Sequence, residues 1–159
     1  MSADACVNLG IQQAALLDAL LSSAPAPIGF NALRIQAAAR SLAEKRRHAV
    51  MTTWPILAGV LDERFAGLFD GYGTSNALPA EGNANLDGRL FCDWLANRGE
   101  FPQEATIERM RYDLHYLVSD SRLLTRRGPR VLIERCGKER KWVVGLVLSG
   151  LGEYWWHGG

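Results

Sequence analysis

The sequence predicts an α+β protein that is mainly α, with about five helices followed by a small C-terminal antiparallel β-sheet. Two observations carry this. Up to about residue 122, apolar residues recur at three- and four-residue spacing, the period of a helix with one buried face. From Gly128 the chain reads GPRVLIERCGKERKWVVGLVLSGLGEYWWHGG, in which runs rich in β-branched and aromatic residues are separated by turn residues. The change of period divides the chain into a helical domain, residues 1–122, and a β hairpin or meander, residues 123–159, packed on it. With 159 residues and 48% hydrophobic content, the chain is long enough for one real core.

Leu9, Gln13, Leu16, Leu17, Leu20 and Leu21 place a first amphipathic helix over residues 8–22. Pro25, Pro27 and Gly29 then break the pattern. Asn31 is a natural N-cap for a second helix reaching about Thr52, with Leu33, Ile35, Ala39, Leu42, Ala49 and Val50 inward and Glu44 to Arg47 exposed. Pro55 suits the first turn of a third helix, where a missing N–H costs nothing. Leu57, Val60, Leu61, Phe65, Leu68 and Phe69 form its inner side, and Trp54 and Pro55 join the core. Gly71, Gly73 and a polar loop over residues 74–85 close it. Asp87 caps a fourth helix, carrying Leu90, Phe91, Trp94 and Leu95 and stopped by Gly99. Pro102 opens a fifth, with Ile107, Met110, Leu114, Leu117 and Val118 as its stripe.

In the tail, Val131–Cys136 and Trp142–Leu148 read as a hairpin around residues 137–140. A third strand, Glu153–His157, follows the turn at Ser149–Gly152. Alternation sets Trp142, Val144, Leu146 and Leu148 on one face and Val143, Val147 and Ser149 on the other. It likewise separates Tyr154 and Trp156 from Trp155. Both faces of the hairpin are largely apolar, so one covers the helices and the other is open to a partner.

The chemistry-bearing residues are dispersed. Cys6, Cys92 and Cys136 form neither a disulfide framework nor a zinc motif, and Cys92 falls on an apolar helix face as a small core residue. His48, His115 and His157 have no metal-ligand spacing. Asp62, Glu63 and Asp93 make no identifiable carboxylate pair. Glu108 reads as a favourable charge near a helix N-terminus, and the Ser149–Gly152 glycines as a tight turn. No catalytic residue, bound metal or cofactor is expected. The ends Met1 to Cys6 show no secretory pattern, and the longest apolar run is about half of the ~20 residues that a spanning helix needs, so the expectation is a cytoplasmic protein without a membrane role.

The charge is uneven. Net charge is +1 overall, but residues 1–105 carry −3 and residues 106–159 carry +4. Arg126, Arg127, Arg130, Arg135, Lys138, Arg140 and Lys141 cluster at the hairpin. Three readings fit them: a winged hairpin on DNA phosphates, a strand edge that receives an extended peptide, or a basic rim that prevents edge-to-edge aggregation. Tyr154, Trp155 and Trp156 are either interface anchors or pins of the last strand. The candidate peptide- or partner-binding set is Arg126, Arg127, Arg130, Arg135, Trp142, Tyr154, Trp155 and Trp156.

The stretch from Arg46 to Tyr72, with Trp54, Pro55, Leu57, Leu61, Glu63, Phe65, Leu68 and Tyr72, resembles a bacterial family of helical proteins described as DNA-binding domains. Leu90-Phe91, Trp94-Leu95, Phe101-Pro102 and Ile107-Glu108 resemble the family's second half. The likeness covers roughly residues 10–120. It is also similar to partner subunits of TIM-barrel multinuclear iron enzymes in methanobactin and thiaglutamate biosynthesis. The resemblance implies a non-catalytic partner that binds such an enzyme and helps present a precursor (leader) peptide, the iron being held by the enzyme. A DNA-binding transcriptional regulator is the alternative.

Overall fold

The computed structural model describes residues 3–21, 25–79, 82–119, 122–136, 141–148 and 151–158. Among these, six α-helices precede five strands: α1 (Ala3–Leu21), α2 (Ala32–Thr53), α3 (Pro55–Leu61), α4 (Arg64–Ser75), α5 (Ala84–Asn97), α6 (Thr106–His115), β1 (Tyr116–Ser119), β2 (Arg122–Thr125), β3 (Arg130–Cys136), β4 (Lys141–Leu148) and β5 (Gly152–Gly158). The protein is α+β and mainly α, as the periodicity indicates. No helix is long and apolar enough to cross a membrane among the described residues. The turns at residues 137–140 and at Ser149-Gly150 lie outside them.

Several helix signals act as their chemistry dictates. The Asn31 side chain accepts a hydrogen bond from the Arg34 N–H at 3.1 Å and caps α2. Pro55 is the first residue of α3. Gly99, at φ +70, ends α5 in a left-handed turn: its N–H donates to the Ala96 carbonyl, and the Glu100 N–H to the Leu95 carbonyl.

Other expectations are corrected. The third helix is two helices, because Asp62 adopts φ +47 and breaks it. Leu57, Leu61, Phe65 and Phe69 on both sides of the break still enter one core, so their spacing conceals it. Val60 and Pro55 are exposed instead. Gly71 and Gly73 lie inside α4. The cap of α5 is Asn83, whose side chain accepts from the Asn85 and Leu86 N–H groups; Asp87 sits one turn later and is buried. The last helix stops at His115, so Leu117 and Val118 belong to β1, which pairs with β2 as a short ribbon. Tyr116, Val118 and Leu123 of this ribbon pack on the helical core.

That core joins α2 to α6 through Val50, Trp54, Leu57, Phe65, Phe91, Leu95 and Tyr112. Phe65, Phe69, Tyr72 and Phe91 form an aromatic cluster with ring centroids 5.1–5.7 Å apart. Cys92 is buried beside them, and burial pushes its thiol pKa up. One polar group is enclosed with them. Asp87 is 1% exposed and takes two hydrogen bonds from Arg46, at 2.7 and 2.8 Å, and one from the Tyr72 hydroxyl at 2.9 Å. Arg46 is thus half-enclosed and ion-paired, and does not lie on an exposed stretch.

Candidate functional site

The strongest candidate surface is the outer face of the β3-β4-β5 sheet. All three strands are antiparallel, with β4 in the middle. The register sets Ile133, Val144 and Trp156 in one row, Val131, Leu146 and Tyr154 in the next, and Arg135 beside Trp142. Since strand residues alternate between faces, these side chains share one side. Val131, Ile133, Trp142, Tyr154 and Trp156 are all exposed there. The sequence separated the two faces of β4 correctly, as it did Tyr154 and Trp156 from Trp155.

The inner face explains why the sheet presents the other one. Gly145 packs so closely that an added Cβ would lie 2.8 Å from the Trp155 ring and 2.9 Å from Leu114 of α6. Val143 is buried beside it. Arg109 of α6 pairs with Glu134, and Arg111 and His115 of α6 pair with Glu153, at 2.7 and 3.1 Å. Partial burial pushes the Glu153 pKa up. Hydrogen bonds from Arg111, His115 and the Trp155 indole, with the Arg111 charge, outweigh this and hold it below its ordinary value. Two ion pairs, the His115–Glu153 contact and one close-packed glycine therefore fix the sheet on α6.

The arginines of the candidate set do not act together. Arg126 donates from its backbone N–H to the His115 carbonyl and from Nε to the Tyr116 carbonyl, 2.9 and 3.0 Å. Arg130 donates to the Leu114 carbonyl at 2.8 Å and to the Arg127 carbonyl. Both cations sit at the C-terminus of α6, where its last carbonyls and the helix dipole favour positive charge. Arg127 is exposed. Arg135 alone joins the aromatic face: its guanidinium lies 4.3 Å from the Trp142 ring centroid and makes no ion pair among the described residues. The structure brings together Arg135, Trp142, Tyr154 and Trp156, and turns Trp155 inward. Val131 and Ile133 belong with them, and their alternation within VLIER was the signal for it.

This face can bury apolar side chains against flat rings, the Tyr154 and Trp156 rings being stacked with centroids 6.3 Å apart. Arg135, stacked on Trp142 and making no ion pair among the described residues, can take a carboxylate at the same time. The outer edges of β3 and β5 are unpaired by any described strand, so an extended segment could add to either. The remaining titratable residues are placed otherwise. His48 and His157 are exposed, and among the described residues no group of three or more His, Cys, Asp or Glu stands close enough to hold a metal ion. Glu108 serves α3 and not its own helix, accepting hydrogen bonds from the Ile56 and Leu57 N–H groups at 3.0 and 2.8 Å.

Among known proteins, the chain is 34% identical over 106 residues to a UPF0276 protein of Streptomyces avermitilis. That match covers 67% of this chain and 21% of the relative, so the chain spans about a fifth of the length of the curated protein it matches. No solved structure matches the chain. A family model described as "SCO6045-like, C-terminal domain" matches residues 10–97, from within α1 to the end of α5. Since that match takes in more than half of the sequence, the chain belongs to the SCO6045-like C-terminal domain family.

Proposed function

We propose that this chain is the non-catalytic partner of an iron-dependent peptide-modifying enzyme, and that its C-terminal sheet takes the precursor (leader) peptide. The observation that carries the reading is the exposed aromatic face, with Trp142, Tyr154 and Trp156 around Arg135, a cation that makes no ion pair among the described residues. Solvated sheets rarely display so many large rings on one side, and an apolar patch with a polar spot is the usual anatomy of a binding site. The Streptomyces relative supports the same reading, because most of its length lies outside the match. A domain of this kind accompanies a larger body there. The resemblance to partner subunits of TIM-barrel iron enzymes supplies the class of enzyme proposed as this chain's partner, and iron belongs to that enzyme.

A DNA-binding role is the reading from another class. It draws on the basic hairpin, yet Arg126 and Arg130 spend their donors on carbonyl oxygens of the chain itself, which leaves fewer cations for phosphates. The test is a substitution series read by peptide affinity. Trp142→Ala and Trp156→Ala lie on the exposed face, leave thermal unfolding nearly unchanged, and weaken binding of a short Cys-containing precursor peptide by about tenfold or more each. Arg127→Ala changes it far less. Equal, small effects from all three would refute the sheet face as the peptide site.

A further inference from the structure

A second uncovered surface lies at the other type of element. Helix α1 turns Leu16, Ala19 and Leu20 towards α2, and Ala19 is its one described buried residue. By helical geometry Val7, Ile11, Ala14, Leu17 and Leu21 then point away from α2, in a stripe about 20 Å long. Val7, Ile11, Leu17 and Leu21 are indeed exposed, Ile11 at 64%. The helix is therefore apolar on two faces, with only one of them covered by α2. At its C-terminal end a cleft of about 720 Å³ opens between α1, α2 and α4, with Leu20, Ile35, Ala39, Leu42 and Phe69 among its walls. Arg46 and Asp70 at the cleft are paired, with Asp87 and Arg47. Its other two charged residues, Arg40 and Lys45, are cations that make no ion pair among the described residues.

We infer that the outer stripe of α1 and the adjoining cleft dock the larger protein body, through an apolar segment of that body that carries carboxylates for Arg40 and Lys45. This rests on the reading under Proposed function and names the surface used for the enzyme, as distinct from the peptide. Two observations choose the occupant. The matching family model describes a C-terminal domain, so in such proteins a body precedes the domain, and the match begins at residue 10, within α1. About four-fifths of the Streptomyces relative lies outside the match, which is ample to supply a docking face. In such proteins the part that matches α1 is therefore the one nearest the preceding body in sequence, and in this chain α1 carries an exposed apolar side. The two cations in the cleft select a partner surface with acidic groups, because like charges there would be buried together.

The experiment co-expresses the chain with a TIM-barrel multinuclear iron enzyme of the proposed partner class and measures complex formation by titration of the purified proteins. Ile11→Glu and Leu17→Glu introduce charge on the stripe, and Arg40→Glu reverses it in the cleft. All three positions are exposed, so thermal unfolding stays close to wild type and peptide affinity at the sheet is kept. Each substitution weakens the enzyme complex by about tenfold or more. A wild-type complex that survives all three unchanged overturns this inference while the partner reading stands. Sedimentation of the isolated chain as a dimer that the same substitutions dissociate also overturns it, since a second copy would then be the occupant. No complex with the wild-type chain would remove the partner reading and this docking surface together.

Discussion

Arg46 and Asp87, forty-one positions apart, meet in a two-pronged ion pair that fastens α2 to α5. The guanidinium also lies 5.3 Å from the Tyr72 ring centroid and donates to the Asn76 carbonyl, so one side chain closes α4 as well. Partial burial works against the charged Arg46, but Asp87 more than compensates, and the Arg46 pKa is raised. Removing one partner leaves a buried charge unmatched. Asp87→Ala accordingly costs about 3–5 kcal/mol in urea unfolding. A loss under about 1 kcal/mol, the range of exposed pairs, would show that water reaches the carboxylate.

Gly88, the next residue, is a packing requirement. A Cβ there would lie 2.2 Å from Nε1 of the buried Trp54. Gly88→Ala therefore destabilises by about 1–3 kcal/mol or prevents folding, although alanine is the better helix former. Gly67→Ala in α4, with nothing within 4 Å, serves as the control and is neutral or stabilising. Similar unfolding curves for the two variants would contradict the packing of α2 on α5.

Glu108 caps a helix that is far from it in sequence. Pro55 occupies the first position of α3, no side chain of its own caps the helix, and the Glu108 carboxylate takes the next two N–H groups. Glu108→Ala costs about 0.5–2 kcal/mol by thermal or chemical unfolding. Faster amide exchange at Ile56 and Leu57 would accompany it, and unchanged exchange at both would dispute the cap.

The attachment of the sheet depends on pH through Glu153, whose pKa is held below its ordinary 4.5 by Arg111, His115 and Trp155 despite partial burial. A depressed carboxylate stabilises fully above its unfolded value and loses that contribution as pH falls through the folded one. Wild type should therefore exceed Glu153→Gln in thermal midpoint at neutral pH, and the gap should close as pH falls below about 4.5. A gap constant with pH would mean that Glu153 acts by packing alone.

Much of this architecture was legible because its causes are local. Asn31, Pro55 and Gly99 act within one helical turn, and the alternation in Trp142–Leu148 is set by the pleat. What was not legible depends on distant groups. Nothing near Arg46 in sequence announces Asp87, and the two arginines at the end of α6 find carbonyls ten and sixteen residues back. The break at Asp62 has neither Gly nor Pro to mark it. Helix α1 shows the limit of periodicity: Leu9 and Leu17 keep the spacing of a buried stripe but are exposed, because only one side of α1 meets α2. Leu33 and Leu42 on α2 are likewise exposed. In the site, the aromatic face followed from alternation, whereas the separation of Arg135 from Arg126 and Arg130 needed the packed sheet.

Whether the sheet takes a peptide is decided by salt-dependent titration. The chain, alone and with a TIM-barrel multinuclear iron enzyme of the proposed class, is titrated with a short Cys-containing precursor peptide and with a random duplex across a range of salt. Peptide binding through apolar pockets and backbone hydrogen bonds depends weakly on salt, while duplex binding falls steeply as counterions are released. Peptide affinity with a shallow salt slope, lost on Trp156→Ala, is expected. Tight duplex binding with a steep slope, and no peptide affinity with or without the enzyme, would contradict it.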